Sequence, residues 1–320
     1  MMQVSLDQVI RLGAGFVRPE CVAVTKAGDV FTSHFGGGVS HINPDGQRFD
    51  YLGPGEPTVS TNGFSITPEG DFLCASLLPP GGVWRVTRAG EQIPYLLELD
   101  GVVLDSVNFV HVDSSGRSWI SISTQESPRH LGYRGDIASG YVILLDKRGP
   151  RVVAEDIGYT NEVKVDPSGK WLYVNETFGR KTSRFPIADD GSLGAKQVIT
   201  EYGTGNYPDG MEFDQSGGVW ISSIISNRVI RIAPDGTQEV MLEEVDEGHV
   251  ARSEDAYLQG KLGREHLDNI ATPTLKNVSS ITFGGPDLKT AYVGNLLDDC
   301  IYTFTSPIAG APPPHWLQTF

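Results

Sequence analysis

The chain is poor in the features that mark a secreted, membrane-spanning or nucleic-acid-binding protein. It has only three cysteines in 320 residues, Cys21, Cys74 and Cys300. They stand far apart at no metal-ligand spacing, so free buried thiols are the expected state. No apolar run is long enough to span a bilayer. The opening residues Met1 to Asp7 carry neither a basic n-region nor an apolar h-region, so no secretory leader is expected and a cytoplasmic location is. Positive charge is scarce as well: 25 Lys and Arg stand against 40 Asp and Glu, a formal net charge of −15. That balance repels phosphate backbones and anionic lipid surfaces, which argues against nucleic acid and membrane as partners. Nothing in the composition bears on oligomeric state.

Glycine (38) and proline (20) are plentiful, as a turn-dense all-β chain requires. Their placement is periodic. Glu20, Asn62, Asn108, Asn161 and Asp209 each open a short apolar strand and are each followed, at one constant distance, by a glycine: Gly28, Gly70, Gly116, Gly169 and Gly217. A sixth, degenerate copy begins near Ser279, where Ile281 and Phe283 keep the rhythm and Gly284 to Asp287 make a longer turn. The openers recur roughly every 40–70 residues, a period that signals a propeller, solenoid or array.

In the fourth copy Glu162 to Val165 alternates as a half-buried strand, Asp166-Pro167-Ser168-Gly169 turns, and Trp171 to Val174 returns. The fifth repeats this with Met211 and Phe213, the turn Asp214 to Gly217, and Val219-Trp220-Ile221, then adds Val229 to Ile232. Such meanders of three or four strands are too small to bury their own faces. Six of them closed radially make an all-β, six-bladed β-propeller, a single domain over residues 1–320. A solenoid would need polar capping repeats, and neither end has one. One of the chain ends, Val4 to Leu12 or Trp316 to Phe320, is expected to pair with strands from the other terminus and complete the ring. Because every opener is a hard oxygen donor at the same position in its repeat, the ring has the shape of a metal site.

Arg18-Pro19-Glu20, Asn161, and Pro208-Asp209-Gly210-Met211 with the downstream Gly217-Gly218-Val219-Trp220 resemble the senescence marker protein/gluconolactonase/luciferin-regenerating-enzyme family, repeat by repeat over essentially the whole chain. The resemblance implies a six-bladed propeller with one divalent cation at the axial end of its tunnel and hydrolysis of lactones. It implies metal ligands at Glu20, Asn161 and Asp209, with Asn108 contacting metal or substrate. The chain departs from relatives in three places. Asn62 stands where the paraoxonases carry a histidine base, no arginine precedes Asn108, and Phe109 follows it where sugar lactonases have Asp. These departures leave the metal site intact but do not carry aldonolactone specificity.

Two carboxylates and two amides offer only oxygens, which suits Ca²⁺ first, with Mg²⁺, Mn²⁺ or Zn²⁺ as alternatives. A cation there can polarise a lactone carbonyl and acidify a water. Asp209 is the expected general base, with Asn108, Asn62, His34, Arg129 and His130 expected to contact substrate. Arg129 and His130 lie in a long insertion between the strands of the third repeat. His111 falls out of phase with its apolar neighbours, as either a tunnel-lining or a structural group. A second insertion, residues 245–276 between blades 5 and 6, reads as a helical cap whose helix starts near Ser253-Glu254-Asp255. The reading is therefore a metal-dependent hydrolase opening a small lactone. The alternatives are a non-enzymatic, metal-stabilised binding propeller, or a related esterase or phosphotriesterase. A strictosidine-synthase-like condensing enzyme is disfavoured by the complete ligand set.

Overall fold

The computed structural model describes residues 3–53 and 59–320. Six four-stranded antiparallel sheets follow one another along the chain. Their innermost strands are Val22–Val24, Thr61–Ile66, Val107–Val112, Thr160–Val165, Asn206–Phe213 and Val278–Gly284. From blade 2 to blade 6 each inner strand packs beside the next, the sixth packs against the first, and blade 1 meets the inner strand of blade 2 through its second strand, Val30–His34, so the sheets close as the blades of a six-bladed propeller. Closure comes from the N-terminal segment alone. Ile10–Leu12 pairs with Ile301–Thr305 as the outer strand of blade 6, in the register Ile10 to Thr303. The seam is locked by Arg11, whose guanidinium donates to both oxygens of Asp298 at 2.5 and 2.7 Å. Covering this last edge removes an exposed pairing template.

The turns explain the periodic glycines. In blade 5, Asp214 Oδ1 accepts from the backbone N–H groups of Ser216 (2.9 Å) and Gly218 (2.8 Å), and Gly217 turns at φ +84. The other carboxylate oxygen accepts from Trp220 Nε1 at 2.9 Å, and Asp113 holds Trp119 identically in blade 3. The turn aspartate thus also fixes the largest core side chain of the following strand.

The C-terminal segment is not a closing strand. It crosses the end of the propeller opposite the ring residues. Gln318 Nε2 donates to Thr67 O at 2.8 Å, and the Phe320 ring lies 4.5 Å from Phe31 with the Arg88 guanidinium 5.3 Å away. Residues Ala311 to His315 line a cavity of about 140 Å³ at this end of the tunnel.

The insertion holds two helices, α1 (Glu247–Leu258) and α2 (Arg264–Asp268). The sequence pattern placed the start of α1 too late. Asp246 is the N-cap, accepting from His249 N at 2.9 Å, and Ser253 is a buried mid-helix residue. Gly248, a poor helix former, hid the first turn. Val250, Leu262, Leu267 and Ile270 are buried, so the insertion is packed into the rim rather than hinged over it. Tyr257 Oη donates to Phe178 O at 2.7 Å, and the Arg180 guanidinium, ion-paired with Glu254, sits 3.8 Å from the Tyr257 ring centre. Among the described residues no helix is long and apolar enough to cross a membrane, and all three cysteines are free and buried.

Because Phe320 is a half-buried wedge between blades 1 and 2, Phe320→Ala should lower the stability by about 2 kcal/mol, less than a fully buried Phe would cost. Leu317→Ala, at 76% exposure, should be neutral. Urea unfolding of the two variants checks this; equal midpoints would show that the tail contributes nothing.

Candidate functional site

At the ring positions the antiparallel pairing slips. The register shifts between Thr61 and Phe64, Val107 and Phe109, Thr160 and Val163, Pro208 and Met211, and Val278 and Ser280. Each irregularity contains an opener: Asn62, Asn108, Asn161, Asp209 or Ser279. A bulge re-aims a side chain out of the ordinary alternation, and here the re-aimed residues face a common axis. In blade 1 the same is achieved by a turn ahead of the inner strand, with Arg18 at φ 50 and Glu20 N donating to Arg18 O at 2.8 Å.

The bulges are fastened from the second strands, a signal that sequence reasoning missed. Ser33 Oγ accepts from Glu20 N (3.1 Å), Ser121 Oγ from Phe109 N (3.0 Å) and Ser222 Oγ from Gly210 N (3.0 Å). Each serine follows its opener at one constant spacing, so the pattern was visible in the chain. Thr177 and Asn175 serve blade 4, donating to Pro208 O (2.8 Å) and Asp209 O (2.9 Å) across the interface with blade 5. Gly210 permits the approach of blade 6: a Cβ there would lie 2.6 Å from Ser279 O.

Glu20, Asn62, Asn108, Asn161 and Asp209 line one small cavity of about 30 Å³, with Arg18, Arg129, Tyr133, Tyr159, Arg264 and Leu267 above them. One water needs about 10–15 Å³ of such space, so the cavity can take an ion with a water beside it. Ser279 does not join as a donor; its hydroxyl donates to Glu20 O at 2.9 Å and ties blade 6 to blade 1. Arg18, Leu77, Arg129, Tyr133 and Arg264 also border a larger cleft of about 1040 Å³, so the axial pocket opens into it. Leu77, Leu78, Val102, Leu104 and Tyr141 make much of that cleft apolar.

The donor set fits a hard divalent cation. Asn161 spends its amide protons on Thr177 Oγ1 (3.0 Å) and on Asp209 Oδ1, and no described residue donates to its carbonyl oxygen. Asn62 Oδ1 is buried without a partner. Glu20 Oε2 lies 2.7 Å from an Arg18 nitrogen but out of line for a hydrogen bond. Burial pushes Asp209 well above the usual carboxylate range, and the charges of Glu20 and Glu162 push it further against Arg18 and Asn161. Two buried carboxylates with unsatisfied amide oxygens around an ion-sized space form an arrangement that a cation relieves.

The other expected substrate contacts divide. Arg129, on the short 3₁₀ turn Arg129–Gly132, borders both the axial pocket and the cleft, and its Nη1 donates to Tyr159 Oη at 3.4 Å. His130 is exposed and lines the outer cleft only. His34 lines neither. It ends its strand buried beside Asp50 and Arg48, and its Nδ1 accepts from Gly36 N at 3.1 Å. Its place at a strand end suggested the rim, but the hydrogen bond to Gly36 holds the ring inside its own blade. Arg264 was not foreseen, because it arrives on α2 from far along the chain. A separate group, Asp298, Asp299 and Cys300, brings ligand atoms within 4.8 Å of one another. Asp298 is already engaged there by Arg11 and by Tyr302 Oη at 2.7 Å, so this group serves the seam.

His111 lies in the tunnel away from the ring, in the cavity that also holds His315 and Lys164. Burial pushes His111 down to about 3 and His315 to about 4, with Lys164 adding to both shifts.

These features define a six-bladed propeller with an axial, all-oxygen, cation-type site at the floor of a cleft. The chain matches the family model for the SMP-30/Gluconolactonase/LRE-like region over residues 54–246, and it belongs to that family. It is 26% identical over 257 residues to a 6-deoxy-6-sulfogluconolactonase from Pseudomonas putida, covering 77% of this chain and 75% of that protein. It is 28% identical over 161 residues to the pentonolactonase XacC of Haloferax volcanii, covering 49% of this chain and 45% of the relative. Solved structures with the same fold include a gluconolactonase from Xanthomonas campestris (TM-score 0.68, 18% identity, 93% of this chain and 89% of that one). A calcium-binding regucalcin from Agrobacterium tumefaciens matches similarly (TM-score 0.67, 16% identity, 97% of each chain).

Two outcomes follow. Asp209→Asn removes one of two facing buried charges, so the chelator-treated variant should be more stable than the parent by about 1–3 kcal/mol at neutral pH. Added Ca²⁺ should then raise the melting temperature of the parent but not of the variant; a variant destabilised in both conditions would mean that fixed partners already satisfy the carboxylate. The depressed histidines act on the acid side. The unfolded chain binds protons near pH 6.5 that folded His111 and His315 refuse, so stability is lost as pH falls below about 6.5, at up to about 1.4 kcal/mol per pH unit for each group. Urea midpoints at pH 7 and pH 5 should therefore differ less in His111→Gln than in the parent.

Proposed function

We infer that the protein is a metal-dependent lactonase, opening the ring of a small cyclic ester by attack of water. The observation that carries this reading is the convergence of Glu20, Asn161, Asp209, Asn108 and Asn62 on an ion-sized cavity at the floor of an open cleft. One relative over most of the chain and a second over about half of it are named as lactonases, and the calcium-binding neighbour favours Ca²⁺ among the hard cations.

Glu20, Asn161 and Asp209 would hold the cation, with Asn108 beside them. A divalent ion held there supplies polarisation of the lactone carbonyl and a lower pKa for water. The chain's own groups do the rest. Asn62 and Asn108, joined by the donation of Asn62 Nδ2 to Asn108 O at 3.2 Å, present amide groups to the ring oxygens of a substrate. Asp209 takes the proton of the attacking water and returns it to the departing ring oxygen, so water adds across the acyl C–O bond, Asp209 is regenerated, and the new carboxylic acid then loses its proton to solvent. Its burial raises its proton affinity, which makes it a better base than an exposed aspartate, while a neighbouring cation pulls the other way. Arg129 meets the substrate at the mouth, with His130 further out in the cleft.

Chelated protein should be inactive on a panel of sugar and non-sugar lactones and regain turnover with Ca²⁺, Mg²⁺, Mn²⁺ or Zn²⁺. Asp209→Ala, still folded by circular dichroism, should lose about a hundredfold or more of kcat. Tight metal binding without turnover of any lactone would instead favour the non-enzymatic binding propeller or an esterase or phosphotriesterase.

A further inference from the structure

The axial pocket is bordered by three arginines, Arg18, Arg129 and Arg264, from three separate parts of the chain. They lie together in space: all three line the axial pocket and all three also line the cleft above it. Gathering like charges at a half-buried mouth costs free energy unless something negative sits among them. In a protein with fewer basic than acidic residues the grouping is not a by-product of composition.

Their existing partners fully balance only Arg264. Arg264 donates to both oxygens of Asp268 at 2.5 and 3.1 Å. Arg18 faces Glu20, but that carboxylate belongs to the ring, and the buried Arg18 Nε has no partner among the described residues. Arg129 meets no carboxylate among the described residues; its one hydrogen bond is to Tyr159 Oη. Asp100, Asp105, Glu126 and Glu155 border the outer cleft, yet among the described residues none of them forms an ion pair with any of the three. With Glu20 and Asp209 committed to a cation, the mouth is left with surplus positive charge. Guanidinium forks recognise carboxylate, sulfonate and phosphate oxygens geometrically as well as by charge.

We propose that Arg129, Arg264 and Arg18 form an oxyanion subsite at the mouth of the axial pocket, so that the natural ligand carries an anionic group in addition to the function lying over the ring. The identity of that second function as a lactone rests on the reading above; the subsite itself does not. The cap then has a specific task. It delivers Arg264, and the buried Leu267 and the bond from Asn277 Nδ2 to Leu267 O at 2.7 Å hold α2 in place.

The test is calorimetric binding of gluconate, a monoanion, and of glucarate and 6-phosphogluconate, which add a terminal carboxylate or phosphate, to the full chain with Ca²⁺ present. The doubly charged acids should bind at least about tenfold tighter than gluconate, the scale of one added charged hydrogen bond. Arg129→Met and Arg264→Met should each erase most of that ratio, whereas Arg134→Met, altering an exposed arginine paired with Asp136, should keep it. Glucarate tighter than phosphogluconate identifies a planar carboxylate as the better fit, and the reverse identifies a tetrahedral oxyanion. Equal affinity for all three acids, no binding of the doubly charged ones, or a ratio that survives both variants overturns the subsite. An arginine-dependent ratio in a protein that opens no lactone keeps the subsite and removes the lactonase reading; turnover of neutral lactones without such a ratio does the opposite.

Discussion

Two carboxylates buried within reach of each other, Glu20 and Asp209, are the constraint to which the rest of the propeller answers. A folded chain left to itself separates such groups, protonates one or exposes both. Here neither can move, because each is held by its backbone. Glu20 N is bonded to Ser33 and Glu20 O receives the Ser279 hydroxyl, while the Asp209 segment is gripped by Asn175, Thr177 and Ser222. The fastening comes from neighbouring blades as much as from the residue's own. A ring of six blades has no free edge along which this strain could relax, and its closure by Ile10–Leu12 is part of the same device.

The bulges make the ring possible. A regular strand alternates its side chains between the two faces of its sheet, and both faces of a blade are covered by its neighbours. To reach the axis, a side chain must leave that alternation. The cost is a broken ladder bond, offset by the serine hydroxyls that accept the freed N–H groups in blades 1, 3 and 5. The small residues Gly63 and Gly210 follow Asn62 and Asp209 because the next blade occupies the place of a side chain: a Cβ on Gly63 would lie 2.2 Å from the Phe109 ring and one on Gly210 2.6 Å from Ser279 O.

This geometry explains what could be read from the chain. Repeats report strands, turns and positions equivalent by rotation, so the blade count and the five oxygen donors were legible from Glu20, Asn62, Asn108, Asn161 and Asp209 and their downstream glycines. Ser279 was legible only as a place in the ring; that its hydroxyl points back to Glu20 O depends on contact between the ends of the chain. The start of α1 was misplaced because Gly248 masks the first turn, and His34 was set on the rim because periodicity does not tell which way a strand-end side chain folds. The arginines are the deeper case. Arg18 belongs to a repeat, but Arg129 and Arg264 come from insertions that obey no period, and only the folded ring brings them together.

The two kinds of residue divide the work. Strand residues recur, are locked by several blades and set a chemistry that tolerates little change: hard oxygens, an ion-sized cavity, one carboxylate of raised proton affinity. Loop residues occur once, are held by local contacts such as Arg264 to Asp268, and set what can approach. Asn108 stands between Val107 and Phe109, both buried and apolar, so the strand layer carries no charge there. Arg129 and Arg264 place positive charge in the loop layer directly above. The same ring can therefore keep its reaction while its ligand changes, because the groups that choose the ligand lie outside the interlocked frame. If the arginines form the subsite proposed above, selectivity in this propeller is a property of its insertions, and residues 245–276, packed into the rim through Val250, Leu262 and Leu267, would carry a share of it without loosening the floor.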